Sequence, residues 1–121
     1  MTRILRILSI IIGVFLGISA VNWMFDPSTA AMNLGMELLN GMGRNTQIGD
    51  MTAFFTTGGL FILLGVFKNR PDFLVVPAFL MVSAAFFRLT SGAFYDADIM
   101  VEAVIFEVLA AVILYSYSRK I

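Results

Sequence analysis

The chain has 121 residues, 60% of them hydrophobic, with eight basic and eight acidic side chains in balance. That length corresponds to one domain, 1–121, and that composition belongs to a membrane protein and not to a soluble or disordered chain. Zero net charge with scattered basic residues excludes a nucleic-acid footprint, and the lack of Cys and His removes disulfides, thiol nucleophiles, haem ligation and zinc sites built on those residues.

Four apolar segments follow in order, at about 4–25, 51–67, 73–89 and 99–117. The first follows Arg3 and Arg6, which imitates a signal peptide, but it is too long for such a core and reads as a retained spanning helix. Ser9, Gly13, Gly17 and Ala20 form a stripe of small residues at helical spacing, the pattern of a close-packing face. Trp23, near the far end, fits an interfacial aromatic anchor. Asp26-Pro27-Ser28-Thr29 is a helix-start signal, with Asp as the cap and Pro at the first helical position. The segment that follows, broken by Asn33, Gly35 and Glu37, is too polar to span and predicts a short interfacial helix within 25–39. Gly41-Met42-Gly43 follows no strand and lacks a phosphate-loop lysine, so it reads as a flexible turn.

Asp50 stands at the expected mouth of the second span and has two readings, a helix cap or part of a polar site beside the small face of Ala53, Thr57 and Gly58. Lys68-Asn69-Arg70-Pro71-Asp72 is a tight basic connection to the third span. Pro77 eases the first turns of that span, and Arg88 stacks over Ala84 and Ala85 near its end, which directs the guanidinium inward; snorkelling to the surface is the competing account. Residues 91–98 read as a loop, with Asp98 placed to cap the last helix. Asp96, Asp98 and Glu102 lack the ligand spacing and glycine of a calcium loop, so no metal site and no cofactor are expected.

The last span holds Glu107 near its midpoint, where a charge costs roughly 2.5–3.5 kcal/mol on insertion scales and so faces the bundle interior or a partner. Ala103, Ala110 and Ala111 share its face, which therefore points into the protein. Glu102 lies about 140° round the helix on a bulkier side, nearer the interface. In a four-span arrangement Arg3, Arg6, Lys68, Arg70, Arg119 and Lys120 fall on one side and Arg44 on the other, which predicts cytoplasmic termini. Asp50, Arg88, Glu102 and Glu107 then share the outer half, with Glu107 about 12 Å deep. Arg88 is expected to contact Glu107, Glu102 or Asp50 within about 2.7–2.9 Å, and the capacity for bidentate geometry favours Arg over Lys at this position. Such a pair holds the carboxylate ionised. The excess negative charge is open to protons, to Arg44 or to a cationic ligand.

These positions carry a resemblance. Phe25-Asp26-Pro27 with a short helix after it, Asn45 to Asp50 leading into Phe54-Phe55, Arg70-Pro71, Ala84-Ala85-Phe86-Phe87-Arg88, Ser91-Gly92-Ala93 and a late Glu, in that order, resemble a bacterial family of small four-span membrane proteins of unknown function with a DoxX-like bundle. The resemblance covers nearly the whole chain and implies a fold but no activity, substrate or partner. The expected protein is an all-α, four-transmembrane-helix bundle with a short interfacial helix after the first span. No nucleophile-and-base pattern is readable, so the expected role is a non-enzymatic accessory or scaffold subunit in the lipid bilayer, joined to a larger complex or to itself through its small-residue faces. The alternative is a small-molecule binding protein or proton-coupled carrier that uses the buried carboxylates and Arg88.

Overall fold

A computed structural model describes residues 1–121 and is all-helical. Its helices are α1 (Thr2–Phe25), α2 (Pro27–Asn33), α3 (Gly41–Phe67), α4 (Pro71–Phe94) and α5 (Val101–Ser118). All but α2 are long and apolar enough to cross a membrane. The long helices run alternately up and down, α1 against α3, α3 against α4, α4 against α5, and α5 back against α1, so they close a four-membered ring. Both termini lie at one end. The opposite end carries α2, which packs on α1, and the α4–α5 connection.

The buried side of each helix is narrow. Leu16, Ile62, Leu74, Met81 and Leu114 fill the interior, whereas Val14, Phe79, Phe86, Val112 and many like them stay exposed along the helices. An apolar exterior of this extent is the surface of a membrane protein and contacts lipid.

Helix ends differ from expectation in three places, each for a local reason. α3 begins ten residues before Met51, at Gly41, whose positive φ turns the extended Asn40 into the helix. Its first turns are polar because they clasp the preceding strap: Gln47 accepts from Leu39 N at 2.9 Å and donates to Glu37 O at 3.2 Å, while Arg44 Nε donates to Leu39 O at 2.9 Å. At 27 residues, or about 40 Å, α3 exceeds the hydrocarbon thickness of ~30 Å, so these turns stand beyond it. α4 continues through Ser91 to Phe94, and Asp98 is too early to cap α5, whose N-cap is Met100. Asp26 begins α2 without a side-chain cap bond, and the helix is secured instead by Pro27 and by burial of Ala30 and Ala31.

Trp23 corrects a further expectation. It is 1% exposed and belongs to the core with Ala30 and Ala31, because α2 folds back over the end of α1. It is no interfacial anchor.

Two contacts hold α1 in place. On its small-residue stripe Ser9 and Gly13 are buried, and a Cβ added to Gly59 of α3 would lie 3.0 Å from both Gly13 O and Gly17 N. Glycine is required there by backbone approach. At the terminal end Arg6 Nη1 donates to Val66 O and to the Tyr117 hydroxyl, each at 3.3 Å, and its guanidinium lies 5.5 Å from the Phe67 ring centroid. One side chain thus ties α1 to the last turns of α3 and α5, where the negative end of the helix dipoles favours a cation.

Gly59→Ala is therefore expected to lower thermal stability in detergent by about 1–3 kcal/mol through overpacking against backbone. Gly17→Ala, with open space at its Cβ, should leave the melting temperature unchanged or raise it. Equal melting temperatures for the two variants would contradict this packing.

Candidate functional site

Small residues place the charges. On α5, Glu107 shares its face with the buried Ala110 and Ala111, so its carboxylate enters the bundle about 9 Å from the helix start at Val101. On α4, Arg88 lies one turn beyond the buried Ala85 and reaches the same level. Arg88 Nε donates to Glu107 Oε1 at 2.9 Å. The side chains are 30% and 7% exposed, respectively, so the acid is enclosed while the base keeps access to open space. This is the expected inward pairing. A single bond forms through Nε, so the bidentate capacity of Arg is not used, and the terminal nitrogens of Arg88 have no protein acceptor.

Beside the pair lies a cavity of about 650 Å³, between the long helices and under α2. A volume of this size falls within the range of small-molecule sites, roughly 300–1,000 Å³. Leu16, Met51 and Met81 give it an apolar interior, and six aromatic side chains, Phe15, Trp23, Phe54, Phe55, Phe87 and Phe106, line it. Polar groups are few: Ser19 and Asn22 from α1, Asn33 from α2, and Ser91, Glu102 and the Arg88–Glu107 pair. A smaller cavity of about 370 Å³ adjoins it, and Arg88, Ser91, Leu34 and Met100 line both, so they form the partition.

The main cavity reaches the lipid-facing surface along the seam between α1 and α5. Phe15 and Ile18 line it, yet they are 52% and 56% exposed on the flank of α1 opposite its contact with α3. Phe15 and Phe106 meet across this seam with ring centroids 5.3 Å apart. An apolar molecule dissolved in the bilayer has a short path inward.

Three of the four charges singled out in the sequence come together. Glu107 and Arg88 form the pair, and Glu102 lines the same cavity while remaining exposed and outside any ion pair. Asp50 does not join them. Because α3 starts at Gly41, Asp50 sits in its third turn instead of at its mouth, and it is exposed on the helix flank while Met51, 100° further round, lines the cavity.

Sequence reasoning missed the cavity wall on α1. Phe15, Ser19 and Asn22 recur at spacings of four and three, the signature of one helix face, and two polar residues in that stripe were the available signal. It also read Arg6 only as a topology marker.

Glu107→Gln is expected to destabilise the fold in detergent by about 1–3 kcal/mol, less than the ~3–5 kcal/mol for breaking a fully buried pair because Arg88 retains solvent access. Glu102→Gln should change thermal stability by less than about 0.5 kcal/mol, since it breaks no ion pair. Comparable losses in both variants would show that the 2.9 Å contact contributes nothing particular. Comparisons of the chain with protein families, with curated proteins and with solved structures found no match.

Proposed function

We propose that this protein is a non-enzymatic binding protein of a bacterial inner membrane that takes a lipophilic small molecule from the bilayer into the cavity beside Arg88 and Glu107. One observation carries the reading: a void of about 650 Å³ with an apolar wall reaches a charged pair whose carboxylate is buried. A helical bundle that served only as a scaffold would gain stability by filling such a space, because each lost packing contact costs dispersion energy. Retaining a space of ligand size next to a few polar groups is the arrangement of a binding site.

The accessory role expected first from the sequence is the second reading. The small-residue stripes that motivated it are largely consumed within the chain, as Gly13, Gly17 and Gly59 pack α1 on α3. The resemblance to a DoxX-like bundle rests on the sequence pattern alone and is compatible with either role. The inner-membrane, termini-inside orientation rests on the terminal end of the bundle, which carries Arg3, Arg6, Lys68, Arg70, Arg119 and Lys120 while the other end carries Arg44.

Two outcomes test this reading. Ala84 lines the cavity, and Ala84→Phe should occupy part of it, so a neutral lipophilic fluorophore that binds the native protein saturably should lose affinity roughly tenfold or more. Saturable binding undiminished by the substitution would move the ligand elsewhere. Fusion of alkaline phosphatase after Ile121 should give inactive enzyme in intact cells, and fusion in the strap between α2 and α3 should give active enzyme; the reverse pattern would invert the orientation.

A further inference from the structure

We infer that the ligand is a lipophilic cation, an apolar or aromatic molecule carrying one positive charge, held between the aromatic wall of the cavity and the carboxylate of Glu102. This rests on the binding role proposed above and adds the ligand's charge.

Charge balance carries the first step. The cavity wall holds two carboxylates and one guanidinium. Arg88 is committed to Glu107 through Nε, which leaves that pair close to neutral. Glu102 faces the same cavity with no hydrogen-bond or ion-pair partner in the protein, so the lining as a whole has one negative charge to spare. An anionic ligand on the free nitrogens of Arg88 would raise the net charge of the lining from one negative to two, which Coulomb repulsion opposes. A cation would bring the lining to neutrality.

The wall composition carries the second step, independently of the carboxylates. Six aromatic side chains line the cavity, drawn from α1, α3, α4 and α5; Trp23 and Phe55 are packed into its wall, and Phe15, Phe54, Phe87 and Phe106 keep accessible surface. Aromatic faces present negative electrostatic potential and attract cations. They also match apolar rings by area and shape. Leu and Val would line a site for a neutral hydrocarbon equally well, whereas aromatic rings add a charge preference.

The route of access fits the same class. A lipophilic cation concentrates at the membrane interface, with its charge near the headgroups and its apolar body among the acyl chains. Glu102 lies in the first turn of α5, and the seam marked by Phe15 and Phe106 opens deeper along the same flank. A molecule sliding in between α1 and α5 would reach the carboxylate with its charged end and the aromatic wall with its apolar body.

Three phenyl-rich probes that differ in charge separate the possibilities: tetraphenylphosphonium, tetraphenylborate and neutral triphenylphosphine oxide, which has one phenyl group fewer. Each is titrated into the full chain in a neutral maltoside detergent, with Trp23 fluorescence as the reporter because that residue lines the cavity. The phosphonium should give a saturable change, with affinity at least about tenfold above the other two probes. Glu102→Gln should weaken phosphonium binding roughly three- to tenfold and leave the phosphine oxide unaffected. Preference for the borate would overturn the inference in favour of an anion site on Arg88. Equal binding of phosphonium and phosphine oxide, or phosphonium binding indifferent to Glu102→Gln, would overturn the charge assignment while leaving the binding role intact. Failure of all three probes, together with failure of the neutral fluorophore, would overturn both.

Discussion

The contact between Arg88 and Glu107 is the constraint on which the rest of the bundle depends. In a membrane, apolar side chains give helices little reason to prefer one neighbour over lipid, so register comes from close packing and from polar groups that must find each other. A carboxylate about 9 Å into α5 has one cation within reach, and that cation sits on α4. Their 2.9 Å bond fixes the height and rotation of α5 against α4. Any slip along the helix would separate the acid from its base, at a cost on the order of 2.5–3.5 kcal/mol, comparable to losing several methylene contacts at once.

The cavity follows from how the remaining seams are made. α1 and α3 approach until their backbones touch at Gly13, Gly17 and Gly59, and Arg6 secures the terminal ends of α1, α3 and α5. Those contacts draw α1 towards α3 and hold it at the terminal end. At the other end the side chains of α1 that face α5 are Phe15, Ser19 and Asn22, and the opposing Ala103 is too small to fill the gap. α2 and Trp23 roof the space without occupying it. A bundle tight at one end and open at the other is thus produced by small residues in two different settings: opposite another glycine they bring backbones together, and opposite an aromatic flank they leave room.

The spans were legible because four apolar runs separated by polar connections have no other stable arrangement in a chain of this composition. Glu107 and Arg88 were legible for a related reason: each charge sits one helical turn from alanines, and small residues mark the side on which a neighbour comes close. What escaped was set by tertiary contact. The polar start of α3 reads as a loop in isolation, and becomes helix because Arg44 and Gln47 bond the backbone of 37–39. Asp50 was misplaced by the same error, since its position was inferred from where the apolar run began. Trp23 near a helix end resembles an anchor until α2 is seen to cover it. The cavity itself is an absence of atoms, and no residue pattern encodes how incompletely five helices fill the space between them.

The coupling between Arg88 and Glu107 is measured directly by a double-mutant cycle with Arg88→Gln, Glu107→Gln and both together. Reversible unfolding of the four proteins in one detergent should give an interaction energy of about 1–3 kcal/mol, with the double variant more stable than the sum of the single losses predicts. Strict additivity, within about 0.3–0.5 kcal/mol, would mean that the two side chains act independently, and the pair would then neither set the register of α4 and α5 nor define the charged wall of the cavity.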